Sequence, residues 1–463
     1  MAVQTLEKEK PEFQAIKTIK PKSEWQIAFR QLKKNKLAVF GFWVLIFLYF
    51  LMVFADFISP YSQTFADHLK SYMPPVAIHF FDQQGKFHLD PFIYNYVEKP
   101  EYSGHYIPIT SRIYPIHFFY TAPGAKTHYL LGFIPMKMRL FGVSPPARIY
   151  LFGSGRLGRD IFSRILYGSR ISLTIGLFGV LISYSFGMLI GGISGFYAGK
   201  PIKLGIWWEI SLLLIGSGIG LYTGMKHHEI ALYSRNGALT GLAAAFIVRI
   251  ILISASYLSH SENWWNPLNI PIYLFKIRNW KPSIDIDNWI QRFGEMLMTI
   301  PSLYLLLALR AVIPENISSV DVYFMIIFII AFISWPFIAR IVRGMVLSLR
   351  EREYVMAAEG IGCSNLRTIV RHIIPNTFSQ IIVLMTLSIP NYILLEAFLS
   401  FLDLGIQQPR ASWGNMLTEA QNVVALIHYP WILLPGFLIV ITVLAFNLLG
   451  DGLRDAFDPK MRR

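Results

Sequence analysis

Histidines recur between residues 59 and 150, and imidazole is a common metal ligand. They include His79, His88, His105, His117 and His128. None is spaced as His-x-His or His-x-x-x-His, and acidic partners are few in this segment. Surface or packing roles are therefore favoured over a metal site, and no metal-binding residue is predicted.

Two groups of charged residues could also carry chemistry. Glu396 lies in an apolar stretch, where a carboxylate marks a functional site by default. A hydrogen-bonding role inside a helix bundle is favoured for Glu396 over contact with a substrate. Arg159, Asp160 and Arg164 are predicted to form a structural ion-pair cluster, because no nucleophile and base accompany them. No catalytic residue is predicted.

The segment from Ser194 to Pro201 has a faint similarity to a phosphate-binding loop. It lacks the first glycine, and Pro201 stands where a hydroxyl must bind Mg²⁺. No ATPase site is predicted in this chain.

The elements that position these residues follow from composition. Of 463 residues, 54% are hydrophobic and only 15% are charged, whereas soluble domains carry about 25% charged residues. This composition argues against a soluble enzyme and against a disordered chain. Cys363 is the one cysteine in the sequence, so no intrachain disulfide can form. The chain has a net charge of +14, and in a membrane protein such an excess of lysine and arginine usually lies in the cytoplasmic loops. No soluble basic domain that could bind nucleic acid is visible.

Eight apolar stretches predict an all-α polytopic membrane protein. They lie at about 37–58, 171–196, 206–222, 238–257, 296–313, 322–339, 381–401 and 431–449. Lysine and arginine are concentrated in the N-terminal segment, between Arg340 and Arg371, and in the tail, whereas the loop after 401 holds only Arg410. This alternation predicts cytoplasmic N- and C-termini.

An extracytoplasmic, β-rich insertion is predicted at 59–150. Ile-His-Phe-Phe occurs at Ile78–Phe81 and again at Ile116–Phe119. Glycine-containing turns follow both copies, at Gly85 and Gly124, which favours two hairpins.

The stretch from Arg352 to Pro375 predicts two short helices separated by Gly362. Ala357 and Ala358 are small enough to let a partner surface approach. Such a loop could dock a soluble subunit, or it could lie on the membrane as an amphipathic segment; spacing alone does not separate these interpretations.

This loop resembles the coupling loop of the permeases of ATP-binding-cassette (ABC) importers. The family pattern reads E-A-A, three residues, G, nine residues, I-x-L-P, and Ala357, Ala358, Gly362 and Pro375 fall in register. Met356 replaces the acidic first residue. The run from Arg371 to Asn376 is similar to the R-H-I-L-P-N of peptide importers. Further similarities to that branch lie at 157–173, 399–405, 412–417 and 445–455.

The resemblance implies a type I importer permease bundle of six core spans plus two inserted ones. Its implied organisation is a basic N-terminal segment at 1–36, a first span at 37–58, the insertion at 59–150, a second core span with its preceding segment at 151–202, two extra spans at 203–285, the core at 286–450 with the coupling loop at 352–376, and a cytoplasmic tail at 451–463. The ATPase-coupling residues would be Ala357, Ala358, Glu359, Gly362 and Pro375.

The resemblance also implies partners and a location. A second homologous permease, two ABC ATPase subunits and an extracytoplasmic solute-binding protein would assemble with this chain in the bacterial inner membrane. The chain itself would hold no cofactor, since ATP and Mg²⁺ would be bound by the ATPase subunits. Alternatives are an ion-coupled transporter or channel, which would need an inverted repeat, and a membrane-bound enzyme.

Overall fold

The computed structural model describes residues 24–98, 104–122, 127–130, 134–203, 283–314 and 317–458. The described protein is mostly helical. Its described helices include five that are long and apolar enough to cross a membrane, and a sixth candidate span is a sharply bent helix pair. The predicted spans at 206–222 and 238–257 lie outside the described residues.

An amphipathic helix and the first candidate span begin the described chain. Helix α1 covers Glu24–Lys34 and α2 covers Lys36–Val53. Between them, Asn35 caps α2, since its side chain accepts a hydrogen bond from the backbone N–H of Ala38 at 3.2 Å. A short helix, α3, follows at Ala55–Ile58.

The segment predicted to be β-rich contains a four-stranded antiparallel sheet. Its strands run in the order β1, β2, β3, β6, and a separate pair is formed by β4 and β5. The strands are β1 His79–Phe81, β2 Phe87–Glu98, β3 Tyr106–Tyr120, β4 His128–Leu130, β5 Ile134–Met136 and β6 Arg139–Val143. A 3₁₀ turn at His68–Lys70 precedes them.

One of the two predicted hairpins is present and the pairing of the other is wrong. Gly85, with φ +77°, turns the chain between β1 and β2. The turn containing Gly124 lies outside the described residues, and β3 pairs with β6, not with the next strand, β4. In this pairing, Ile116 of β3 lies opposite Val143 of β6. Both side chains are buried in the core beneath the sheet, so burial of this face selects β6 as the partner.

Helix α4, Ile161–Tyr197, is the longest described helix. Beyond it, the two-residue strands β7 (Ile202–Lys203) and β8 (Ser283–Ile284) pair antiparallel. The ladder brings together the two ends of the segment that includes the two extra predicted spans.

The region of the span predicted at 296–313 is a broken helix pair. Helices α5 (Ile286–Thr299) and α6 (Ser302–Ala311) meet at 86°. Pro301 explains the break, because proline disfavours helical geometry in the residue before it, and Ile300 is extended with ψ 125°.

The remaining helices form the C-terminal half. They are α7 Ser319–Leu349, α8 Glu353–Gly360, α9 Asn365–Thr368, a π-helical turn at Ile369–Ile373, α10 Ile374–Phe401, α11 Trp413–Met416, α12 Val423–His428 and α13 Leu434–Phe457, with 3₁₀ turns at Leu417–Gln421 and Pro430–Leu433. Helix α13 continues beyond residue 450, so the predicted start of the tail falls inside a helix.

Small residues let α4 and α7 pack at close range. A Cβ on Gly187 would lie 2.5 Å from Cγ2 of Ile338, and one on Gly191 would lie 2.4 Å from the carbonyl oxygen of Ala339. Small residues recur every four positions on this face of α4, a spacing that predicts a close helix contact, and the contacts of Gly187 and Gly191 confirm it.

Candidate coupling loop and buried polar networks

The loop between α7 and α10 folds as two short helices with a tight reversal. Gly362 has φ +83° and ends α8 in a Schellman motif. The N–H of Gly362 donates to the carbonyl of Glu359 at 3.0 Å, and the N–H of Cys363 donates to that of Ala358 at 3.1 Å. Glycine suits this position because side chains rarely adopt a positive φ.

The predicted coupling residues do not all face the same way. Ala357, Glu359 and Gly362 are exposed, whereas Ala358 is only 5% exposed and packs inward. Pro375 is exposed in the first turn of α10. The exposed surface of the loop also carries large apolar side chains, namely Tyr354, Met356, Ile361 and Leu366.

Several polar contacts hold this loop to the C-terminal end of α4. Lys200 Nζ lies 3.6 Å from Glu359 Oε1, and Asn365 Nδ2 donates to the hydroxyl of Tyr197 at 3.1 Å. Just before the loop, Arg350 Nη1 donates to the carbonyl of Ala198 at 2.6 Å. The Lys200–Glu359 pair is about half exposed and contributes little to the stability of the protein. These contacts therefore mainly fix the position of the loop relative to α4.

A second polar cluster joins α4, α5 and α7, and the sequence patterns did not predict it. Arg343 forms a bidentate pair with Asp287, with Nε and Nη2 each 2.6 Å from a carboxylate oxygen. The hydroxyl of Ser194 donates to Asp287 and accepts from Gln291 Nε2 at 3.0 Å. The segment with faint phosphate-loop similarity is therefore a helix end, and its serine is committed to this cluster. Only the opposite charges of Asp287 and Arg343 could have suggested the pair.

Glu396 lies at the centre of a buried hydroxyl network. Its Oε2 accepts from Ser172 Oγ at 2.9 Å, and its Oε1 accepts from Ser400 Oγ at 2.7 Å. These hydroxyls in turn accept hydrogen bonds from backbone N–H groups. The N–H of Trp413 donates to Ser172 Oγ at 3.1 Å, and the N–H of Ile406 donates to Ser400 Oγ at 3.2 Å. Glu396 is 0% exposed, and it lies about 30 Å along α10 from Pro375, so it is remote from the coupling loop.

The predicted ion-pair cluster at the start of α4 is arranged differently. Asp160 caps the helix and accepts from the backbone N–H of Ser163 at 2.8 Å, without pairing with either neighbouring arginine in the described contacts. Arg164 lies 3.7 Å from Glu419, in the 3₁₀ turn Leu417–Gln421 far along the chain. An N-cap carboxylate satisfies orphan N–H groups, which explains why Asp160 turns away from the arginines. Burial raises the pKa of Asp160 to about 7.

His79, His88 and His117 lie on strands β1, β2 and β3 of the sheet. His88 Nε2 is 3.0 Å from Asp82, and this contact lowers the pKa of that carboxyl. The rings of His79 and His117 lie against those of Tyr94 and Tyr120.

Comparison with known proteins connects this architecture to a family. Residues 281–463 match the family described as the binding-protein-dependent transport system inner membrane component. Residues 23–75 match the N-terminal transmembrane domain of oligopeptide transport permease C. The first match includes the coupling loop, Glu396 and the Asp287–Arg343 pair.

Individual relatives agree with both matches. The oligopeptide transport system permease protein OppC of Bacillus subtilis is 31% identical over 320 residues, which are 69% of this chain and 74% of the relative. OppC of Haemophilus influenzae is 31% identical over 68% of this chain and 71% of its own.

A longer match is found with the dipeptide transport system permease protein DppC of Bacillus subtilis. It is 27% identical over 438 residues, which are 95% of this chain and 86% of the relative, so the alignment runs through both segments predicted as insertions. All three relatives are named as transport permeases, not as enzymes. The matches and the apolar helices together show that this chain is an integral membrane protein of the peptide permease family of binding-protein-dependent transport systems.

Proposed function

We propose that this chain is one of two permease subunits of an ATP-driven importer of peptides or related solutes. It lines the translocation path with a second, homologous permease. Two cytoplasmic ATPase subunits bind ATP and Mg²⁺ and drive it, and an extracytoplasmic solute-binding protein delivers the substrate. The observation that supports this most directly is the loop from Arg352 to Pro375, where exposed apolar side chains stand on a helical loop that is fixed to a long bundle helix.

The contacts of this loop suggest how motion of the ATPases reaches the membrane. When the ATPases close on ATP, α8 moves with them. Glu359 and Asn365 pull on Lys200 and Tyr197 at the end of α4. Because α4 packs on α7 through glycines, the two helices move as one unit. The bundle thereby shifts between two discrete states, open to one side of the membrane or to the other.

Uptake is expected to require active ATPase partners. In proteoliposomes containing the assembled transporter and its binding protein, we expect radiolabelled peptide to accumulate only with ATP. An inactivating substitution in the partner ATPase should reduce uptake to background, whereas an uncoupler that collapses ion gradients should leave it unchanged. Uptake that persists with inactive ATPases and stops with the uncoupler would show an ion-coupled transporter instead.

The sheet-containing segment at 59–150 is proposed to lie outside the cytoplasm, where it contacts the solute-binding protein. Gln84 and Lys86 flank the exposed turn at Gly85, so cysteines at either position leave the sheet intact. In a Cys363→Ala background, Gln84→Cys and Lys86→Cys should react with an impermeant maleimide added to whole spheroplasts. A cysteine at exposed Glu351 should react only after lysis. The reverse pattern would overturn the proposed orientation.

A further inference from the structure

The outer boundary of the hydrocarbon can be located on α4. The helix has 37 residues and is therefore about 55 Å long, whereas the hydrocarbon core is about 30 Å thick. The first span, α2, ends beside Arg170 of α4, because Arg170 Nε donates to the carbonyl of Met52 at 2.9 Å and Nη2 to that of Val53 at 3.1 Å. Nearby, the hydroxyl of Tyr323 in the first turns of α7 donates to Thr174 at 2.8 Å. One span ends and another begins at this level, which is therefore the level of the lipid headgroups.

A cavity of about 400 Å³ opens at this level. Aliphatic side chains of α2 and polar side chains of α4, α7 and the 402–412 loop line it, among them Met52, Val53, Arg170, Thr174, Tyr323 and Arg410. These six are half-buried, so the cavity communicates with the surface. The helix surfaces on either side are suited to lipid, since Phe50 of α2 is 50% exposed and Phe324 of α7 is 62% exposed.

The cavity carries one uncompensated positive charge. Arg170 is neutralised, because its Nη2 lies 2.7 Å from Asp56. Within the described ranges, the guanidinium of Arg410 donates no hydrogen bond and forms no ion pair with protein. Arg410 is also the exception to the charge pattern, as the one lysine or arginine between 402 and 430. A half-buried cation in a cavity that combines aliphatic and polar side chains favours an amphiphilic anion.

We propose that this cavity binds the phosphate of an anionic phospholipid. The planar guanidinium of Arg410 matches the two unesterified oxygens of a phosphodiester, and the Tyr323 hydroxyl lies in the same wall. Met52 and Val53 contact the glycerol and the first methylenes of the acyl chains. The site is independent of the transported solute. Only the assignment to the outer leaflet rests on the proposed orientation.

The proposal is tested on the assembled transporter, delipidated in detergent and titrated with phosphatidylglycerol under native mass spectrometry. Arg410→Gln should weaken retention of phosphatidylglycerol by about tenfold or more, since a charge-assisted bidentate contact is lost. Arg410→Lys keeps the charge but loses the bidentate contact, so its affinity should lie between that of the original transporter and that of Arg410→Gln. Arg156→Gln removes an exposed arginine elsewhere on the same side of the protein and should change nothing.

Three ligands identify which part of the lipid is recognised. Phosphatidylglycerol should bind, while diacylglycerol, which lacks the phosphate, and glycerol 3-phosphate, which lacks the acyl chains, should not compete at equal concentration. Equal binding of phosphatidylglycerol by the Arg410→Gln and original transporters would overturn the proposal. Competition by glycerol 3-phosphate would overturn it in favour of a soluble anion, and displacement of the lipid by a transported peptide would overturn it in favour of a substrate site.

Discussion

Gly362→Trp is expected to abolish ATP-dependent uptake while leaving the permease inserted in the membrane. A Cβ at position 362 meets nothing within 4 Å, so the chain itself has room for a side chain. The indole instead occupies the exposed surface on which, by the proposed function, the ATPase must seat. The positive φ adds a smaller intrinsic cost of about 1–2 kcal/mol for a residue other than glycine. The ATPases should be lost on co-purification, and uptake should fall to background.

Two matched variants separate the effect of bulk from that of backbone strain. Gly362→Asn keeps the left-handed backbone, which asparagine tolerates, and should retain most uptake. Gly362→Ala adds the strain without the bulk and should cause only partial loss. Normal uptake and normal ATPase recovery with Gly362→Trp would show that this loop is not the docking surface.

Glu396→Ala is expected to cause the largest loss of stability among the buried polar substitutions considered. It removes the acceptor of two buried hydroxyls, those of Ser172 and Ser400, and leaves a cavity between α4 and α10. Each unsatisfied buried donor costs about 1–3 kcal/mol, and the cavity adds to that, so about 3 kcal/mol or more should be lost. The purified protein should unfold at a clearly lower temperature in a thermal-shift assay.

The milder Glu396→Gln tests whether the carboxyl acts through structure. Its amide oxygen still accepts one hydroxyl proton, and its NH₂ group can donate to the other hydroxyl, so most stability and uptake should remain. Glu351→Ala, on the exposed surface, should leave the unfolding temperature unchanged. If Glu396→Ala keeps its thermal stability but raises the KM for peptide, Glu396 contacts substrate instead of supporting the bundle.

Local sequence patterns determined much of this protein. Apolar stretches predicted the five long candidate spans, because a helix that satisfies its own backbone hydrogen bonds needs only a sufficient run of apolar residues. The small-residue stripe through Gly187 and Gly191 predicted a close helix contact. Gly362 predicted the reversal between α8 and α9, since the backbone there requires a residue tolerant of positive φ. The motifs at the coupling loop led to the family that the comparisons show.

Tertiary structure alone decided which distant groups meet. Ser172 reaches Glu396 across 224 positions of sequence, and Asp287 reaches Arg343 across 56. Nothing periodic marks such partners, because a buried polar group can be satisfied by any donor or acceptor that packing brings within about 3 Å. The choice of β6 over β4 as the neighbour of β3 was likewise made by burial of one sheet face. The sequence shows that Arg410 lies on a sparsely charged loop, but only the packing of α2, α4 and α7 places it beside a cavity where a predicted membrane span ends.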